Sequence, residues 1–98
     1  MITQNNIIEY LTEQKSEFYN KYSIEKIGLF GSFATNKYTE NSDIDIVYIT
    51  DTKGLTFLQT TQLEDMLFKK FGKSIDLVNL KYMNPLIKRK AQKDILYV

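Results

Sequence analysis

Four apolar residues, Ile7, Leu11, Phe18 and Tyr22, recur at spacings of four, seven and four. On a 3.6-residue period they form one stripe, which predicts an amphipathic helix capped by Asn6 and running to about Tyr22. The pattern then shifts. Residues 26–30 read as a short strand, residues 33–37 as a short helix and residues 38–42 as a polar loop. Residues 43–49 are rich in β-branched side chains and predict a second strand. Its alternation places Asp43, Asp45, Val47 and Ile49 on one face and Ile44, Ile46 and Tyr48 on the other. Residues 51–54 suit a turn. Residues 56–71 carry Leu63, Met66, Leu67 and Lys70 at helical spacing, with Gly72 placed to end a helix. Residues 74–80 predict a third strand with Asp76, Val78 and Leu80 on one face. Asn84-Pro85 opens a last helix, since proline suits a first helical position. Residues 95–98 suit a short final strand.

Helices alternate with strands, and helices must cover at least one face of a sheet. The expectation is an α/β or α+β fold: a small mixed sheet of three or four strands flanked by about four helices. At 98 residues the chain is expected to form a single domain, residues 1–98, with a modest core.

Composition matters mainly through what is missing. Without cysteine there is no disulfide, thiolate nucleophile or Cys-ligated zinc, and without histidine there is no Ser-His-Asp chemistry. Chemistry must rest on carboxylates, hydroxyls, Lys, Arg or backbone amides, and a bound metal would be a hard, oxygen-ligated cation. Thirteen Lys+Arg against twelve Asp+Glu leave a net charge of +1, so strong nucleic-acid binding is not expected. The longest apolar runs have four residues, residues 46–49 and 95–98, and no signal peptide is visible, so a cytoplasmic protein without a membrane span is expected.

Asp43-Ile44-Asp45 places two carboxylates at i and i+2 on one strand face, with Cα atoms about 6.5 Å apart. At an effective dielectric constant of about 20 and a charge separation of about 5 Å, their repulsion is roughly 3 kcal/mol. A divalent cation relieves it; so does hydration at a solvent-facing strand start. Gly31-Ser32 follows an apolar strand. It suits a turn that cradles phosphate with free N–H groups and a hydroxyl, and equally an ordinary strand-to-helix turn. Ten residues separate Ser32 from Asp43. Antiparallel pairing of the first two strands would bring turn and carboxylates together, as phosphoryl or nucleotidyl transfer requires. Asp76 lies among β-formers, where a carboxylate is costly unless it has a role or faces water. A parallel crossover through the preceding helix would bring it to the same cluster.

Gly31-Ser32, ten residues and Asp43-Ile44-Asp45 together resemble the G-S-x10-D-x-D signature of the polymerase β-type nucleotidyltransferase superfamily, with Asp76 similar to its third carboxylate. The length, the run Ser42-Asp43-Ile44-Asp45 and the ending from Asn84-Pro85-Leu86-Ile87 through Ile95-Leu96-Tyr97 resemble the minimal nucleotidyltransferase (MNT) proteins. These are the antitoxin halves of HEPN/MNT toxin–antitoxin pairs. The resemblance implies the nucleotidyltransferase fold and a protein adenylyltransferase that transfers AMP from ATP to a hydroxyl, a tyrosine, of a partner HEPN ribonuclease toxin. It implies two Mg²⁺ ions on Asp43, Asp45 and Asp76, with Asp76 helping to deprotonate the acceptor, and terminal phosphates held by Gly31 and Ser32. A hetero-oligomer with the toxin follows.

Many family members read Gly-Ser-x-Ala-Arg-Gly after the first strand, whereas this chain reads Gly31-Ser32-Phe33-Ala34-Thr35-Asn36. The arginine and second glycine are missing; Lys37 is the nearby cation that could substitute. Two other readings stand beside the first. One is an antitoxin that neutralises by binding alone. The other is a nucleotidyltransferase for a small-molecule hydroxyl, disfavoured because the nucleotide half takes up nearly all of the chain and leaves nothing to grip such an acceptor.

Gly72-Lys73-Ser74 is not a Walker loop, because Leu67 stands where its first glycine belongs. Residues 43–54 are not an EF-hand, lacking glycine at position six and Glu at position twelve. Lys88, Arg89, Lys90 and Lys93 read as a solvated basic helix face, or as a contact for ATP phosphates or an acidic partner. The tyrosines read as core or rim residues, with Tyr10, Tyr19 and Tyr22 as alternative partner contacts.

Overall fold

The computed structural model describes all of residues 1–98. Helix α1 (Gln4–Tyr22) starts three residues earlier than a cap at Asn6 would place it. Thr3 is the N-cap: its hydroxyl accepts from the Asn6 amide, and the Asn6 side chain accepts from the Thr3 amide. Asn6 is therefore the third helical residue of a capping box. The apolar stripe is as expected: Ile7, Leu11, Phe18 and Tyr22 are all buried. Ser23 ends the helix in the left-handed region, at φ 56°, and its amide donates to the Phe18 and Tyr19 carbonyls.

Strand β1 (Ile24–Phe30) follows at once and pairs antiparallel with β2 (Ile44–Thr50). Ile24 stands opposite Thr50, but Lys26 stands opposite Ile49, so one extra residue bulges from β1. A bulge resets the in–out alternation. That is why Ile24, Ile27 and Leu29 all enter the core although 24 and 27 differ in parity. Helix α2 (Gly31–Ala34) is one turn long and begins two residues earlier than the expected 33–37, so it includes Gly31 and Ser32.

Helix α3 (Phe57–Phe71) is capped by Thr56 and Gln59 in a second capping box. It buries Leu63, Leu67 and Phe71; Lys70, expected on this stripe, is exposed, and Phe71 takes the inner position. The helix returns the chain so that β3 (Ile75–Asn79) lies parallel to β2. The strand stops at Asn79, whose side chain accepts from the Lys81 amide, and Leu80 starts a 3-10 turn rather than extending the strand. Asn84 and Pro85 open α4 (Pro85–Ala91) as expected, and β4 (Leu96–Tyr97) closes the sheet.

The sheet order is β3-β2-β1-β4. Its inner face, carrying Ile27, Leu29, Ile44, Ile46 and Tyr48, packs against α1 and α3 in a cluster of 14 buried residues. No helix is long and apolar enough to cross a membrane.

β4 is short, and one glycine makes room for it. Tyr97 stands opposite Gly28 and Leu96 opposite Leu29, with the Val98 amide donating to Ile27 O at 3.1 Å. A Cβ on Gly28 would lie 2.9 Å from Ile95 Cγ2 and 3.0 Å from Leu96 O. Gly28→Ala is expected to cost about 1–3 kcal/mol, as overpacking does. Urea denaturation should show the loss, and faster amide exchange at Val98 should show that the C-terminal strand is what gives way.

Candidate active site

The site is built where β1 ends and β2 and β3 begin. Asp45 stands opposite Phe30 on one side and opposite Asp76 on the other. Asp43 lies just ahead of β2, which starts at Ile44 rather than at 43. The α2 turn that follows Phe30 lies against the start of β2. Antiparallel pairing on one flank and parallel pairing on the other thus bring Gly31, Ser32, Asp43, Asp45 and Asp76 to one end of the sheet.

Gly31 is required here by both conformation and space. Its φ is +72°, in the region that side-chain-bearing residues avoid. A Cβ built on it would overlap Asp45 Oδ2 and stand 3.0 Å from Asp45 Cγ. The carboxylate is packed directly against bare backbone. Beyond Gly31, the opening amides of α2 have no partner four residues back, as at any helix start.

Several side chains hold this end of the molecule in place. Gln4 Nε2 donates to Phe33 O at 2.9 Å and Ala34 O at 3.0 Å, tying α2 to α1. The buried Phe33 ring stacks on Tyr38, centroids 4.2 Å apart. Lys73 donates to the carbonyls of Glu40 and Ser42, the latter at 3.3 Å, and the Ile44 amide donates to Ser74 O at 2.9 Å. Asp43 is therefore carried on a loop clamped by the two residues that lead into β3. Lys73, the middle of the rejected Walker-like triplet, is an anchor for that loop. Neither Gln4 nor Lys73 was singled out from sequence, because each acts across about 30 residues through backbone carbonyls that no residue pattern marks.

Thr35 follows Ala34 at the end of α2. Its hydroxyl lies 3.3 Å from Gly31 O and 3.4 Å from Ser32 O, turned back on its own turn. Lys37 is exposed. Beside Gly31 a cavity of about 280 Å³ opens, bounded by Phe30, Gly31 and Thr35 and by Ile87, Lys90 and Asp94 of the C-terminal segment. A second cavity, of about 480 Å³, is lined by Leu86, Ile87, Arg89, Lys90 and Lys93, with no acidic residue.

The electrostatics centre on Asp45. Partial burial raises its pKa above the ordinary carboxylate range, and the charges of Asp76 and then Asp43 raise it further. As they stand, the side chains are not drawn up into a group of three that could grip a metal ion. The donor chemistry nevertheless fits a hard divalent cation: the side chains offer only oxygen, and Asp45 is partly buried beside two like charges. The ion pair in the structure, Lys69–Asp65, lies elsewhere on α3, so no lysine or arginine neutralises this cluster.

Because the folded-state pKa of Asp45 is raised, the folded chain keeps this proton to higher pH than the unfolded chain. Stability therefore falls as pH rises from the ordinary carboxylate range through the raised value. Asp45→Asn, measured by thermal denaturation in EDTA, is expected to raise the midpoint at pH 7. The gain should vanish by about pH 3, below the ordinary carboxylate pKa. An unchanged midpoint at pH 7 would contradict the repulsion.

The same architecture is found in known proteins. The family model for polymerase beta nucleotidyltransferases matches residues 5–97. MJ1379 of Methanocaldococcus jannaschii, a candidate protein adenylyltransferase, is 36% identical over 100 residues, covering the whole of both chains. Among solved structures, a chain of a toxin–antitoxin with AMP-PNP superposes with a TM-score of 0.71 at 24% identity, over 98% of this chain and 72% of that one. A chain from a complex of tri-AMPylated Shewanella oneidensis HEPN toxin with MNT antitoxin superposes with a TM-score of 0.62 at 22% identity, over 96% of this chain and 66% of that one. At these identities the structural likeness is one of fold. The family match across nearly the full length, with a relative sharing more than a third of its residues end to end, shows that this chain belongs to the polymerase beta nucleotidyltransferase family.

Proposed function

We propose that this protein is an Mg²⁺-dependent adenylyltransferase of the antitoxin type, which transfers AMP from ATP to a tyrosine hydroxyl of a HEPN toxin and so silences it. The observation that carries the reading is the register of the sheet. Asp45 stands between Asp76 and the Gly31 turn, so the carboxylates and a stretch of bare backbone share one place. The relatives support the acceptor class: MJ1379 is a candidate protein adenylyltransferase, and the structural neighbours include a toxin–antitoxin with AMP-PNP and an AMPylated HEPN toxin with MNT antitoxin.

In this reading Asp43, Asp45 and Asp76 hold the metal, and the Gly31 backbone with the Ser32 hydroxyl receives the terminal phosphates. Bound Mg²⁺ supplies the positive charge that developing phosphoryl charge requires. Asp76 takes the proton from the acceptor hydroxyl. The acceptor oxygen bonds to the α-phosphorus, the bond from that phosphorus to the bridging oxygen breaks, and pyrophosphate leaves with the electron pair. The rest of the chain positions these groups: Lys73 fixes the loop that carries Asp43, and Gln4 fixes the short helix α2 that carries Ser32.

The test is incubation with labelled ATP, Mg²⁺ and the partner toxin. Label is expected on the toxin and should disappear with EDTA. Asp43→Asn should lower transfer roughly 10³-fold or more, the scale of lost electrostatic and metal catalysis. No label on the toxin, with complex formation intact, refutes the enzymatic reading.

Thr35 favours a second reading, neutralisation by binding alone, because the turn lacks the arginine of related sequences and its hydroxyl is directed to its own backbone. That reading predicts that the double variant Asp43→Asn, Asp45→Asn still protects cells from the toxin; the catalytic reading predicts that protection is lost.

A further inference from the structure

We propose that Lys90, on α4, is the cation that holds the β- and γ-phosphates of the nucleotide; this rests on the nucleotide site proposed above. The turn itself offers N–H groups and a hydroxyl but no positive charge. Thr35 faces its own backbone. Lys73 is engaged by the Glu40 and Ser42 carbonyls. Lys37, nearest in sequence, does not line the cavity beside Gly31, whereas Lys90 does.

The topology explains how a residue so far along the chain comes to stand there. β4 runs antiparallel to β1, with Leu96 opposite Leu29. Tracing back from Leu96, the chain moves toward Phe30 and Gly31, and α4 arrives beside the turn. Gly31 is then a shared wall. Asp45 is packed against the place where its side chain would be, and the cavity that Lys90 lines adjoins the same residue. A triphosphate lying along Gly31 would reach from the carboxylates to Lys90.

Charge is consistent with this use. Lys90 has no ion pair, although Asp94 lines the same cavity, so its ammonium is free to bind. The adjoining cavity adds Arg89 of the same helix and Lys93 of the turn that follows it, and carries no carboxylate. A lysine suits the task, being a mobile point charge that follows a phosphate tail without fixed geometry. An exposed surface lysine can also be removed with little effect on folding.

The experiment is calorimetric titration of the whole chain with ATP and with AMP, each with Mg²⁺. For Lys90→Ala, ATP affinity is expected to fall roughly 10-fold, the scale of a lost charged hydrogen bond, while AMP affinity stays as in the wild type. Lys90→Arg should restore ATP binding, and Lys37→Ala should leave it unchanged. ATP binding equal to wild type in Lys90→Ala overturns the assignment, as does an equal loss for ATP and AMP. A wild-type chain that binds neither nucleotide refutes the nucleotide site itself, an outcome distinct from either of these.

Discussion

The organisation of this protein depends on holding one half-buried carboxylate within the electrostatic reach of two others. Asp45 is drawn partly out of water and placed between Asp43 and Asp76, with bare backbone at Gly31 on its remaining side. Left to themselves, three such charges would separate. They are held by strand pairing on both flanks of β2, and that pairing is held by the cluster of Ile, Leu and Phe side chains on the opposite face of the sheet. The hydrophobic face supplies the free energy; the polar face is where it is spent. In this sense Ile44 and Ile46, buried completely, are as much part of the site as the aspartate between them.

Some of this could be read directly from the residues. The stripe of α1, the two faces of β2 and the order of elements follow from periodicity alone, because burial on one face enforces it. The helix cap was misread at Asn6 because Asn suits an N-cap and the third position of a capping box equally; only the Thr3 hydroxyl, placed by the structure, distinguishes them. The bulge near Glu25 was invisible for another reason. Alternation in β1 is broken by an inserted residue, and nothing in Ile-Glu-Lys-Ile marks where. The pattern carries β3 one residue too far at each end; at its C-terminal end Leu80 is as apolar as a strand residue, while the side chain of Asn79 turns the backbone away.

For the candidate site, spacing was enough to suggest that Gly31, Ser32, Asp43, Asp45 and Asp76 could meet, because two strand pairings of stated direction would suffice. The supports were not legible. Gln4 and Lys73 work through carbonyls on distant loops, and Lys90 comes near Gly31 only because β4 pairs with β1. Contacts of that kind depend on tertiary approach, and no local pattern announces them.

The two-residue strand β4 has a consequence beyond closing the sheet. It is the tether by which α4 is kept beside the turn, and it is held by few hydrogen bonds along an exposed edge. Weak tethers open readily. A ligand that bridges α4 and the Gly31 turn would therefore fasten the tail of the chain, and by reciprocity whatever fastens the tail would tighten the ligand.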